Sequence, residues 1–161
     1  MQKKAVIIIS VLVVVAILLA IEFKISEYRR IAMDIGIYVP VSCEMYYKDT
    51  HSGFHMDGEV YARVYFSNGQ AKRFIKKIKE NEHWNNLPMN AEFQEEVTKD
   101  KFGDSMELPI VENGYWFFLD RHSKAVNKYD ETSIHDRHSY NYTVAIFDTD
   151  TNILYYYELD T

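Results

Sequence analysis

The chain has 161 residues, a net charge of −6 at neutral pH, 47% apolar side chains and a single cysteine. The acidic balance excludes nucleic acid as a partner, and one cysteine excludes an intrachain disulfide framework. About 130 residues follow position 30, enough for one domain with a real core and too few for two of ordinary size.

The first element is the run Ala5 to Ile21, AVIIISVLVVVAILLAI, broken only by Ser10. Its length is at the short end of what spans a bilayer. Lys3 and Lys4 precede it, as in a secretory signal, but its exit reads Leu18-Leu19-Ala20-Ile21-Glu22-Phe23, without the small residues two apart that a signal peptidase needs. Cys43 is too distant to be a lipoprotein acylation site. The run therefore reads as an uncleaved signal-anchor, the membrane contact of the chain through residues 5–21. Lys3, Lys4 and the free amine face Lys24, Arg29 and Arg30 across it, diluted by Glu22 and Glu27. A short basic tail before a first apolar segment places the N-terminus in the cytoplasm and the bulk outside, as a single-pass protein of the cell membrane. Residues 1–30 are then the transmembrane anchor and juxtamembrane segment, and 31–161 a single extracytoplasmic domain. Without residues 1–30 the chain keeps 13 basic and 22 acidic side chains, a balance of −9.

Lys24 to Ile35 continues the helix into water as a stalk, with Ile25, Tyr28, Ile31 and Ala32 at helical spacing, until Gly36 and Pro40 end it. Val41 to Lys48 reads as a strand. Glu59 to Phe66 is a clearer one, with Val60, Ala62, Val64 and Phe66 on one side and Tyr61, Arg63 and Tyr65 on the other. The two pair as a hairpin. Ser67 and Gln70 form a capping box for the principal helix, whose stripe is Ala71, Phe74, Ile75 and Ile78. Its other surface carries Lys72, Arg73, Lys76, Lys77 and Lys79, either a solvated face or a contact for anionic lipid or an acidic partner.

HWNNLP reads as a turn anchored by Trp84, Asn90 to Thr98 as a short second helix, and Lys99 to Asn113 as loop. Tyr115 to Leu119 (YWFFL) is a continuous apolar run typical of a strand covered on both faces. Ala125 to Ser139 is polar and irregular. Tyr142 to Phe147 and Ile153 to Glu158 close the chain as a hairpin around Asp148-Thr149-Asp150-Thr151-Asn152. The sum is an α+β domain behind a transmembrane helix, its mainly antiparallel sheet built of about five strands with one principal helix. Thirteen tyrosines are too many to bury, so some rings face solvent or a partner.

The loop DTHSGFHMDG (49–58), together with FIKKIKENEHWNNLP, NGYWFFLDRHS, the C-terminal RHSYNYTVAIFDTDTNILYYYELDT and the apolar start, resembles an uncharacterised family of small membrane-anchored proteins of low-GC Gram-positive bacteria. The likeness runs over most of the chain, and its hallmark is D-T-H-x-G-F-H-x-D-G, with Ser52 and Met56 standing where glycine is expected. It implies a bacterial anchored domain and carries no activity or catalytic residues with it.

Read from its residues, the loop offers Asp49, His51, His55 and Asp57, ligand types that suit zinc, manganese or iron. His51 and His55 would align on a helix, which Gly53, Gly58 and the short span oppose. The competing reading is structural. Asp49 and Asp57 cap backbone N–H groups, the glycines supply permissive geometry, Phe54 packs inward and the histidines bond locally. His122, His135 or His138 folding against the loop would favour metal. Elsewhere, Asp148-x-Asp150-x-Asn152 has Ile153 and Leu159 where a calcium loop needs glycine and glutamate, so it is a hairpin turn. His135-Asp136-Arg137-His138 could supply a base and an orienting carboxylate but has the composition of a solvated loop. Cys43 packs as a small apolar side chain.

Three functions fit these features. The first is an anchored binding, sensing or accessory domain of unknown ligand, not an enzyme, with the 49–58 loop as its working surface. The second is a metal-dependent hydrolase using Asp49, His51, His55 and Asp57 as ligands and a water as nucleophile. The third is a structural subunit docking onto a membrane protein complex through exposed tyrosines and the basic helix.

Overall fold

In the computed structural model, which describes residues 2–51, 57–98, 108–134 and 139–161, the apolar run is the first half of one unbroken helix. This helix, α1 (Gln2–Ile35), has 34 residues, a length of about 50 Å. Its side chains are exposed from Ile7 to Lys24, Leu19 at 66% and Phe23 at 70%, whereas Tyr28, Ile31 and Ile35 are all buried. By length and hydropathy, this is the one helix among the described residues able to cross a membrane. The burial of Tyr28 onward confines the uncovered apolar part to its N-terminal side. Gly36 ends the helix at φ +69°, the left-handed C-cap conformation that glycine adopts without steric cost. The stalk is therefore rooted in the domain. The boundary expected at residues 30 and 31 falls inside a continuous helix.

The sheet has six antiparallel strands in the order β1-β2-β6-β5-β4-β3. They are β1 (Glu44–Asp49), β2 (Gly58–Tyr65), β3 (Trp84–Asn86), β4 (Gly114–Asp120), β5 (Asn141–Asp148) and β6 (Ile153–Asp160). The α+β architecture is as expected, with six strands where five were read. The extra one, β3, lies in HWNN and exists through its pairing of Trp84 with Phe117 and Asn86 with Tyr115. β1 and β2 pair as the expected hairpin, Glu44 against Tyr65 and Asp49 against Val60. β1 starts at Glu44, which leaves Cys43 just before it, buried against the core.

Alternation along the strands makes two cores, one on each face of the sheet. The C-terminal half of α1 and helix α2 (Asn68–Lys79) cover the first face, where Tyr28, Ile31 and Ile35 meet Val60, Ala62 and Val64 of β2, Phe117 of β4, Phe147 of β5 and Tyr156 of β6. Helix α3 (Ala91–Thr98) covers the second, where Phe93 and Val97 meet Trp116, Phe118, Tyr142, Val144, Tyr157 and Leu159. Ser67 starts α2 as read, its backbone N–H donating to Gln70 Oε1 at 2.9 Å. Ala71, Phe74 and Ile78 form the buried stripe, Ile75 is half-buried, and the five basic residues are exposed. The β5–β6 hairpin turns on Asp148, whose Oδ1 accepts the N–H of Asp150 at 2.8 Å and of Thr151 at 3.2 Å, with Asn152 at φ 57°. Those carboxylate bonds are spent on the turn itself.

Candidate functional site

Asp49 closes β1, and its Oδ1 accepts the backbone N–H of His51 at 2.9 Å, the local cap expected of an aspartate entering a hairpin loop. The same oxygen lies 2.7 Å from His51 Nδ1, and His51 Nε2 lies 3.1 Å from Asp160 Oδ2 at the end of β6. Thr50 locks the loop base, because its N–H donates to Glu59 O and its Oγ1 accepts the Glu59 N–H, each at 2.9 Å. Gly58 lets the strands close here, since a Cβ on it would come within 2.6 Å of His51 Cα. Asp57 is exposed just before β2. His55 lies outside the described residues, as do His135, Asp136, Arg137 and His138.

This loop base is one end of a larger ionic network on the first face of the sheet. Arg30 of α1 donates to Asp49 Oδ2 at 3.3 Å and to Glu158 Oε1 at 2.8 Å. Arg121, just after β4, reaches Glu158 Oε1 and Asp160 Oδ1, each at 3.0 Å, and donates to Thr143 Oγ1 at 3.2 Å. Tyr156, fully buried in β6, stands between Glu158 Oε2 at 2.9 Å and Asp34 Oδ2 of α1 at 2.5 Å. Two arginines and a histidine thus face four carboxylates, and the stalk helix supplies Arg30 and Asp34. Burial opposes the Arg30 charge, but the Glu158 carboxylate outweighs it and pushes the pKa up. At Asp49, burial is likewise outweighed by the His51 hydrogen bonds and the Arg30 charge, which hold the carboxyl below its usual value.

His122 has its ring contacts elsewhere among the described residues. Its Nε2 lies 3.2 Å from Ser139 Oγ and its Nδ1 accepts the Lys124 N–H at 3.1 Å. For Asp49 and His51 to ligate a metal, they would have to leave Arg30, Asp160 and each other. Among the described residues no group of three or more His, Cys, Asp or Glu side chains is arranged to hold a metal ion.

A second feature lies where α1 ends. A groove of about 1160 Å³ opens between the α1–β1 connection and α2, lined on its apolar side by Ile37, Tyr38, Phe66 and Phe74. Tyr38 is 72% exposed. Arg73, Lys76 and Lys77 of α2 edge the groove, and Glu80 and Glu82 follow them. Lys77 and Lys76 both pair with Glu80, at 2.8 and 3.9 Å, whereas Arg73 has no ion-pair partner among the described residues.

Compared with known proteins, the chain matches no family model, no curated protein and no solved structure.

Asp49 and His51 stand at the base of the β1–β2 hairpin, whereas Arg30, Asp34, Arg121, Tyr156, Glu158 and Asp160 were not singled out from the sequence. A signal for the missed set is present in β6. With Leu154 and Tyr156 pointing to the core, alternation puts Glu158 and Asp160 on the same inward side. A glutamate at an inward position of a central strand demands a cationic partner. Arg30 and Asp34 also sit four apart beside the Ile31 and Ile35 stripe.

Proposed function

We propose that the protein is a single-pass, membrane-anchored binding module held outside the cytoplasm, and that the groove beside α2 captures an acidic segment of a partner protein. The observation that carries this reading is the groove itself, an apolar cleft with a cationic edge on a domain whose overall charge is negative. An extended segment with alternating acidic and apolar side chains would place its apolar groups against Tyr38 and Phe74 and a carboxylate against Arg73. Lipid headgroups of the same bilayer are a poorer match. Ile35 stands about 20 Å beyond Ile21 along the helix axis at 1.5 Å per residue, more than two Debye lengths of about 8 Å at physiological salt.

One labelling experiment tests topology and groove together. Lys76→Cys puts a thiol on the groove edge, where the native lysine side chain is 77% exposed, against a background of one buried cysteine, Cys43. An impermeant thiol reagent is expected to modify it in intact cells. A peptide of alternating Glu and Leu should slow that reaction, a Lys and Leu peptide should not, and Arg73→Glu should weaken the protection. A rim ion pair contributes roughly 0.2–1 kcal/mol, so this single reversal should cost a few-fold in apparent affinity. Labelling that requires lysis overturns the orientation, and equal or absent protection by the two peptides overturns the groove.

A further inference from the structure

The Tyr156 hydroxyl lies between two carboxyl groups, Asp34 Oδ2 at 2.5 Å and Glu158 Oε2 at 2.9 Å. A phenol carries one proton and can donate to only one of them. With both carboxyls ionised, the second contact would set two acceptors against each other beside side chains that are 0% and 2% exposed, at Tyr156 and Glu158. Both contacts are satisfied together when one of the carboxyls carries a proton. Glu158 is the carboxylate bridged by arginine, its other oxygen receiving Arg30 at 2.8 Å and Arg121 at 3.0 Å. Asp34 has no ion pair among the described residues. The consistent arrangement has the Asp34 O–H donating to the Tyr156 oxygen and the Tyr156 O–H donating to Glu158.

We propose that Asp34 keeps its proton in the folded protein and that its ionisation loosens the last turn of α1 from β6, making the root of the stalk helix a pH-sensitive latch. Losing the proton leaves Asp34 and Glu158 both negative and competing for one hydroxyl. The surroundings on every packed element fit this. Glu158 and Asp160 come from β6, Asp49 and Tyr47 from β1, His51 from the loop, Arg30 from α1 itself and Arg121 from the end of β4. Burial, reinforced by the Glu158 charge, pushes the Asp34 carboxyl above its usual value against the pull of Tyr156, Arg121 and Arg30. The sign follows from linkage. A carboxyl bound more tightly to its proton in the folded state stabilises fully below the unfolded value of about 3.9, and that contribution is lost as pH rises through the raised folded value. Asp49, held below its usual value, acts oppositely, since its contribution is lost only as pH falls through its depressed folded value. The two windows lie on opposite sides of the ordinary carboxylate range and can be separated.

The test uses the full chain in detergent micelles, with Asp34→Asn and Tyr156→Phe. Asparagine can donate to the Tyr156 oxygen and cannot ionise. Two readouts apply. In infrared spectra above the ordinary carboxylate range, the native protein should show a protonated-carboxyl C=O band that is absent in Asp34→Asn and shifted in Tyr156→Phe. The second is the rate at which a thiol reagent reaches buried Cys43, whose backbone oxygen accepts the Tyr28 hydroxyl of the same helix at 2.7 Å. The native rate divided by the Asp34→Asn rate cancels the ionisation of the thiol. It should be flat at low pH and then climb by up to about tenfold per pH unit, the slope of one linked proton. If Asp34→Asn does not fold, the band shift in Tyr156→Phe decides the question. Absence of the band in the native protein, no shift in Tyr156→Phe, or a rate ratio flat throughout would overturn the latch.

Discussion

The two faces of the sheet are built from alternate residues of the same strands, yet they solve burial differently. β6 sends Leu154, Tyr156 and Glu158 to the face covered by α1 and α2, and Tyr157 and Leu159 to the face covered by α3. On the first face, one end of the core is ionic, and the buried oxygens of Glu158 and Tyr156 have partners from α1, β6 and the segment after β4. The second face is dominated by aromatic rings, with Phe93 5.4 Å from Trp116 and 5.2 Å from Phe118 between ring centroids. It also contains, at Tyr142, the one buried side-chain oxygen among the described residues that lacks a hydrogen-bond partner. Partners, and not burial alone, decide what a buried polar group costs. The ionic end joins the stalk helix to the sheet through arginines, whereas on the second face the buried Glu59 takes the Tyr157 hydroxyl as its partner.

The largest effect should come from the aromatic side. Phe93→Ala removes a fully buried ring from between two others and should cost about 3–5 kcal/mol in denaturant unfolding, with little dependence on salt. Glu158→Gln should follow at roughly 3 kcal/mol, because it leaves Arg30 and Arg121 facing each other without their shared carboxylate. The figure lies at the low end for a broken buried pair since Arg30 remains 37% and Arg121 25% exposed. Its loss should respond to salt, and a cycle with Arg30→Gln should be strongly non-additive. Additive effects, or a salt response equal to that of Phe93→Ala, would erase the distinction between the two faces.

What was legible in the sequence was what local periodicity encodes. The N-terminal run, the Val60 to Phe66 alternation, the capped α2 and the final hairpin each carry their signal within a short local stretch, and all are present. β3 was not legible, since three residues cannot show a period and Trp84 to Asn86 becomes a strand only against β4. Nor was the adjacency of β2 and β6, which pairs Val60 with Glu158 across the whole domain. The candidate site suffered for the same reason. Asp49 and His51 are neighbours in sequence and were found together, but Arg30 meets Glu158 from 128 positions away. Before that contact is known, an arginine past an apolar run reads only as a topology signal.

The smallest effect is the sharpest test of the comparison. Tyr142→Phe keeps the ring that packs 6.0 Å from Phe118 and 6.2 Å from Tyr157, and removes only the hydroxyl. Burial, with Glu96 and Glu59 near, pushes that hydroxyl far above the usual tyrosine pKa, so it is neutral throughout the working range. An unsatisfied buried donor costs about 1–3 kcal/mol. Removing it should therefore be neutral or stabilise by up to about 1 kcal/mol, which in a domain of this size raises the melting temperature by roughly 2–4 °C. The same substitution at Tyr156, whose hydroxyl has two partners, should instead destabilise. If Tyr142→Phe destabilised the protein as well, the second face would contain a bonded water or side chain at that hydroxyl. The contrast between a core whose buried tyrosine hydroxyl at Tyr156 is partnered and one whose hydroxyl at Tyr142 is not would then be a difference of degree.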